Sequence, residues 1–163
     1  MAIATRIDRR GSLLGILALV GIVAGVWLSQ QPARAQGDVH VLVQGPGRHT
    51  FLDFEQPGLK LGDRLAARGT LFDAAGTTQV GRMYLDCVIM NKLTDDPVGG
   101  MYWCTYLLRL PNGDVTIEGL DPRGPGVYTF AVVGGTGVYA HAGGEATLTD
   151  GSEGTEIVLN LIG

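Results

Sequence analysis

The chain has 163 residues, 45% of them hydrophobic, and a formal net charge of −4. That is enough for one domain with a sizeable core and no dependence on metal or many disulfides. Beyond residue 35 it carries 8 basic and 15 acidic residues, a net charge of −7, which repels phosphate backbones and anionic surfaces, so nucleic acid is not an expected partner.

The N-terminus reads as an export signal. Arg6, Arg9 and Arg10 are followed by an apolar run over residues 13–28 and then by Ala33-Arg34-Ala35, a small-x-small cleavage pattern. We therefore expect residues 1–35 to be a signal peptide and residues 36–163 to be a single secreted domain. The alternative is an uncleaved anchor helix, although the run is marginal for spanning a bilayer. Membrane association is expected only in that case. A count of two lysines and two cysteines agrees with a domain outside the cytoplasm.

No later segment has a helical period. Short β-rich runs alternate with Gly, Pro, Asn and Asp. Strands are expected over 38–44 and 49–55, separated by Gly45-Pro46-Gly47, then over 64–72 and over 78–90, bent at Gly81. Further strands are expected over 101–110, 115–120, 127–133, 138–149 and 155–161. Many short strands with regular turn signals mean an all-β sandwich or barrel.

Two hairpins check each other. Centring a type I′ turn on Asn112-Gly113 sets Leu110 opposite Val115, Leu108 opposite Ile117 and Arg109 opposite Thr116. One face is then apolar and the other polar. Setting Cys87 opposite Cys104 centres the preceding turn at Asp95-Asp96. Cys104, Tyr106, Leu108 and Leu110 then share the apolar face with Met83, Leu85, Ile89 and Tyr102. Arg82, Tyr84, Asp86, Trp103, Thr105, Arg109 and Glu118 take the other face. Two independent turns thus place both cysteines inside, where directly opposed Cβ atoms are close enough to bridge. A Cys87–Cys104 disulfide is expected in an exported chain; the competing reading is two buried thiols, or one reactive thiol.

The stretch from Phe130 to Thr149 organises the rest. Phe130-Ala-Val-Val133 is broken by Gly134, Gly135 and Gly137, and a second glycine pair follows at Gly143-Gly144. Gly135-Thr-Gly-Val-Tyr-Ala140 matches a dinucleotide-binding signature, but that signature needs a helix N-terminus next. Gly143-Gly144 stands where the helix would be, and glycine inside a helix is costly. No Lys-Ser or Lys-Thr follows the glycines either, so a P-loop is excluded. The glycines read instead as a corner between adjacent strands, with at least one at positive φ.

The chemistry on offer is sparse. His40, His49 and His141 are scattered, with no metal-ligand spacing. Ser152, the one serine beyond residue 35, sits in a turn and fits no nucleophile motif. Asp53, Glu55 and Asp86 could in principle meet, but alternation places Asp86 towards solvent. Neither metal nor cofactor is expected. Tyr102 and Tyr106 lie on the apolar face, where a phenol gives an apolar cavity a polar handle. The competing reading is ordinary core packing. The cavity candidates are Met83, Leu85, Tyr102, Tyr106 and Leu108.

These pieces resemble the allene oxide cyclases. The matching segments are Gly62-Asp-Arg-Leu65, Gly69-Thr-Leu-Phe-Asp73, Val80-Gly81 with Cys87 six residues on, Asn112-Gly-Asp-Val-Thr-Ile-Glu-Gly119, and Phe130-Ala-Val-Val-Gly-Gly-Thr-Gly137 with Tyr139, Ala142 and Gly144. The related dirigent proteins share the Gly-Asp block, the Val-Gly-Arg step and the glycine corner. The resemblance spans roughly residues 62–161 and is closest to secreted bacterial members. It implies an eight-stranded antiparallel barrel around an apolar cavity, a reaction steered by moulding the reactant without metal or organic cofactor, and a trimer. Cyclases carry an active-site cysteine where Cys87 stands, which here Cys104 would bridge. They also carry a cation-stabilising glutamate on the first strand. The corresponding Val39-His-Val-Leu-Val43 has no acid, so no such carboxylate is expected from that strand.

The sequence thus points to a secreted barrel that binds one small apolar molecule and shapes a cyclisation or coupling. The alternative is a non-catalytic extracellular binding or structural protein. A filled interior would favour the alternative, and an apolar void with convergent polar groups would favour ligand work. Trp103 and Leu107 fall on the outer face, where large apolar residues mark a contact surface, so a homo-oligomer is expected.

Overall fold

The computed structural model of the chain describes residues 37–54, 60–92, 100–122 and 124–163. The expected signal peptide and the turn at Asp95-Asp96 lie outside the described residues. Eight antiparallel strands close into one barrel in sequence order: β1 Gly37–Leu52, β2 Arg64–Asp73, β3 Gln79–Lys92, β4 Gly100–Leu110, β5 Gly113–Asp121, β6 Val127–Gly135, β7 Gly143–Gly151 and β8 Gly154–Ile162. β1 pairs with both β2 and β8, which removes every free sheet edge. Alternation does the sorting. β4 buries Tyr102, Cys104, Tyr106, Leu108 and Leu110 and turns Trp103 and Arg109 outward, and β3 buries Met83, Leu85, Cys87 and Ile89 on the same side. The face assignments made from the two hairpins match this burial.

The connections alternate between two ends. β1–β2, β3–β4, β5–β6 and β7–β8 are joined at one end, and β2–β3, β4–β5 and β6–β7 at the other. Cys87 stands opposite Cys104 and is bonded to it, and both are fully buried.

Three details differ from the sequence reading. Gly45-Pro46-Gly47 does not end a strand: β1 runs through it as a bulge, with Gln44 opposite Thr70 and Arg48 opposite Arg68. Glycine and proline here interrupt the ladder without ending the pairing. The β4–β5 register is offset by two residues from the expected one. Leu110 faces Gly113, Arg109 faces Asp114 and Leu108 faces Val115. The turn is Pro111-Asn112, where the proline ring's fixed negative φ suits the first central position of a turn, in place of the type I′ turn expected at Asn112-Gly113. An offset of two preserves which face each residue takes. Finally, the strand expected over 138–149 starts at Gly143, because Gly137–Tyr139 forms one 3₁₀ turn.

That turn closes one end of the barrel. The amide of Thr136 donates to the Asp114 carbonyl at 2.8 Å, and that of Val138 donates to the Asn112 carbonyl at 3.0 Å. Asp114 N–H in turn donates to the Thr136 hydroxyl at 3.0 Å. The β4–β5 turn and the glycine corner therefore meet backbone to backbone, with Tyr139 buried beneath them. Gly137 has φ +63°, and a Cβ there would collide with the Asn112 carbonyl. Gly135 has ordinary φ but no room: a Cβ would sit 2.6 Å from the Asp114 oxygen and 2.7 Å from that of Tyr139. Gly134, at φ +155°, completes the corner.

Candidate functional site

The barrel is not filled. A cavity of about 530 Å³ occupies the half towards the β1–β2, β5–β6 and β7–β8 connections. Leu65, Met83, Leu85, Leu148 and Ile157 form its apolar walls. Exposed His49, Phe51, Pro125 and Asp150 stand at the mouth. Gly69, Ala67 and Val43 line the β1–β2 wall, and their small side chains leave the space open.

Two polar groups converge in this apolar interior. Asp121 ends β5 and is 6% exposed. Its side chain points inward because Val115, Ile117, Gly119 and Asp121 share one parity along the strand. The Tyr106 hydroxyl donates to Asp121 Oδ2 at 3.1 Å, and the disulfide sulfur of Cys104 lies 3.9 Å from the same oxygen. Opposite Cys104 stands Gly119, and the ring of Phe130 occupies the space a side chain would take there. Phe130 meets Tyr106 edge to face, with ring centroids 5.2 Å apart. Phe130 and the carboxylate together hold the tyrosine ring in one orientation. A buried charge is expensive unless hydrogen-bonded, so this arrangement holds Asp121 where solvent cannot.

Tyr128 and Asp150 bring further polarity to the mouth. The Tyr128 hydroxyl donates to the Gly124 carbonyl. Its pKa is raised above the ordinary tyrosine value, first by burial and then by the negative charges of Asp150 and Asp121. The second buried acid, Asp63, is structural: it accepts from the Lys60 amide at 2.7 Å and the Phe54 amide at 3.2 Å, tying down the β1–β2 connection. Among the described residues no group of three His, Cys, Asp or Glu is placed to hold a metal ion.

Of the residues named from sequence, Met83, Leu85 and Tyr106 line the cavity. Tyr102 and Leu108 are buried in the barrel but do not line it. Tyr102 packs at the start of β4 opposite Ile89 and Asp121, and Leu108 lies between Met83 and Val115. Gly134, Gly135 and Gly137 belong to the closed end. Sequence reasoning missed Asp121. The acid of β1, Asp38, is exposed, and an interior carboxylate is supplied instead from β5. The signal was available: extending the strand by one residue and reading its parity puts Asp121 inside.

No protein-family model matches the chain, and no curated protein matches it. Solved structures do. A pyocyanin demethylase is 26% identical, with a TM-score of 0.65 over 77% of this chain and 100% of its own. The pterocarpan synthase dirigent protein GePTS1 is 16% identical, with a TM-score of 0.57 over 79% and 87%. The exo-specific intermolecular Diels–Alderase AbnU is 18% identical, with a TM-score of 0.54 over 77% and 98%. The chain thus has the allene oxide cyclase/dirigent-like barrel fold.

Proposed function

We propose that this protein binds one small apolar, ring-containing molecule inside the barrel and guides its cyclisation, coupling or a related conversion. The observation that carries the reading is the Tyr106–Asp121 pair aimed into a cavity of about 530 Å³. An apolar pocket with a few convergent polar groups is the usual form of a small-molecule site. The walls restrict the conformers a bound reactant can take, so part of the entropic barrier is met on binding. Asp121 adds a fixed negative charge in low dielectric, where it stabilises positive charge that develops in a transition state. Tyr106 keeps that carboxylate oriented and offers its own oxygen to the ligand. Barrels of this fold include a pyocyanin demethylase, a dirigent pterocarpan synthase and a Diels–Alderase, which supports a conversion of a ring-containing or ring-forming substrate. A purely structural barrel would be expected to fill its interior, so the cavity favours ligand work over that alternative.

The disulfide supports a location outside the cytoplasm, with residues 1–35 as the export segment, since thiols there stay oxidised. On the outer wall Trp103 is 44% and Leu120 48% exposed, and they are directly paired. We take this patch as the contact surface of a homo-oligomer; a monomeric mass in light scattering at micromolar concentration would count against it.

The test of the ligand reading is a thermal-shift titration of the full chain with pyocyanin, the molecule named for the 26%-identical barrel. The expected result is a rise in Tm that grows with concentration, as linkage requires. Ala67→Trp, which fills the cavity from the β2 wall, is expected to abolish the shift. A shift that survives Ala67→Trp places the binding elsewhere and overturns the reading.

A further inference from the structure

A second site lies on the outside of the barrel, and its chemistry is opposite to that of the cavity. Arg48, Arg68 and Arg82 are exposed and line a groove of about 370 Å³ across β1, β2 and β3, together with Gln44, Thr70, Gln79 and Tyr84. No acidic residue lines this groove. Arg64 is bonded to Asp86 and Arg109 to Asp114, but among the described residues none of the three groove arginines has an acidic partner. Arg48 stands directly opposite Arg68. Arg82 pairs with Thr70, so it lies diagonal to Arg68. Like charges at directly opposed positions of a sheet destabilise it, and the chain beyond residue 35 has acids to spare.

The β1 bulge creates this juxtaposition. Carrying the register of Gln44 and Thr70 forward without it would set Pro46 opposite Arg68. The two extra residues replace proline with Arg48. Bulges are a device for re-aiming a side chain, and here the device brings a second guanidinium to the first. Guanidinium groups present paired N–H donors that match the oxygens of phosphate and sulfate. Thr70 and Tyr84 add hydroxyl groups to the lining.

We propose that the Arg48–Arg68–Arg82 groove is an oxyanion site for a small ligand carrying a phosphate or sulfate group of charge two or more. The groove adjoins the cavity, since Gly47, Arg68, Gly69 and Met83 line both, but its chemistry rests on the three arginines and not on what the cavity binds. Such a group would neutralise the opposed pair and bridge β1 to β2 and β3 at the point where the bulge interrupts the ladder. The overall acidity of the chain keeps bulk anions away, so selectivity rests on the three forks acting together rather than on net charge.

Calorimetric titration of the full chain with pyrophosphate at low ionic strength tests this. The expected result is saturable one-site binding that weakens about tenfold or more in Arg68→Gln and in Arg48→Gln, the loss of one charge-assisted contact. Arg64→Gln, outside the groove, is expected to leave it unchanged. Added salt is expected to weaken binding in the parent, and pyrophosphate is expected to raise its Tm. Far-UV circular dichroism checks that each variant folds, and the parent's Tm response stands even if one does not. Absence of saturable binding overturns the proposal, and so does equal weakening by Arg64→Gln, which would reveal diffuse charge. A parallel arm uses vesicles of phosphatidylglycerol in phosphatidylcholine. Retention on these without any response to pyrophosphate would assign the groove to lipid headgroups and overturn the small-ligand assignment.

Discussion

The two ends of the barrel are built on different principles. The β4–β5, β6–β7 end is shut by backbone against backbone: Asn112–Asp114 and the glycine corner are hydrogen-bonded to each other, and Gly113, Gly135 and Gly137 leave no room for a side chain. The β5–β6, β7–β8 end is held open by side chains, with Phe51, Tyr128 and Asp150 round a mouth that leads down to Tyr106 and Asp121. Tight backbone packing marks the first end and chemistry the second. Substitutions at the closed end should therefore change melting before anything else, and substitutions at the open end should change ligand binding first.

The largest effect is expected at the closed end. Gly137→Val combines a β-branched residue at φ +63° with a collision against the Asn112 carbonyl. Backbone strain and overpacking each cost ~1–3 kcal/mol, so the sum is about 4 kcal/mol. Gly135→Val meets the same crowding without the φ strain and should lose less. Thermal scans rank the two. In Arg68→Gln, where the arginine groove is weakened, added dinucleotide should not raise the Tm, and a concentration-dependent rise there would revive the cofactor reading of these glycines.

Opening the disulfide comes next. Cys87 and Cys104 are 17 residues apart, and a loop of that size is worth about 3 kcal/mol in the chain-entropy model. The double Cys→Ala variant should melt correspondingly earlier. Because Cys104 also packs beside Asp121, pyocyanin binding should weaken along with stability. Unchanged binding in the folded variant would separate the bridge from the site.

Tyr106→Phe should have a smaller effect on melting and a larger one on function. It leaves a buried carboxylate short of one donor, a loss of about 1–3 kcal/mol. The sharper contrast is Asp121→Asn, which keeps the shape and removes the charge. Ligand binding or turnover should fall while Tm holds or rises. A Tm drop as large as that of Gly137→Val would mean that Asp121 is a structural group like Asp63.

The smallest effects are titrations that mark the two ends. At the closed end, Asp73 accepts from the Thr77 amide at 2.8 Å and the Thr78 amide at 3.2 Å, which lowers its pKa. A carboxylate with a lowered folded pKa stabilises above its unfolded value, and that stability is lost as pH falls through the folded one. Asp73→Asn should therefore flatten the acid limb of Tm against pH. At the open end, Tyr128 has a raised pKa. Its contribution is complete below the ordinary tyrosine value and is lost as pH rises through the folded one, so Tyr128→Phe should flatten the alkaline limb. Ultraviolet titration should show a late phenol in the parent that is lost in that variant.

The contrast between the ends also explains what the sequence made legible. Gly134, Gly135 and Gly137 announce a corner because few residues other than glycine tolerate such φ values and close approach. The paired faces of β3 and β4 followed from alternation, which survives a register offset of two. The site was harder to read. Tyr106, Met83 and Leu85 could be placed inside but not told apart from Tyr102 and Leu108, since all five share a face and only depth along the barrel separates cavity from packing. Asp121 was hidden at a strand end beside Pro122, where propensity argues for a turn. The arginine groove was invisible because Gly45-Pro46-Gly47 reads as a break, and only the continued pairing of β1 brings Arg48 to Arg68.

The central claim is that the hollow half of the barrel is a binding site, and a bound heavy atom tests it most directly. Crystals of the full chain grown with 1-bromonaphthalene should show one anomalous bromine peak inside the barrel, among Met83, Leu85 and Leu148 and within reach of Tyr106. A structure with no peak there, or with bromine only against Trp103 and Leu120 on the outer wall, would contradict it.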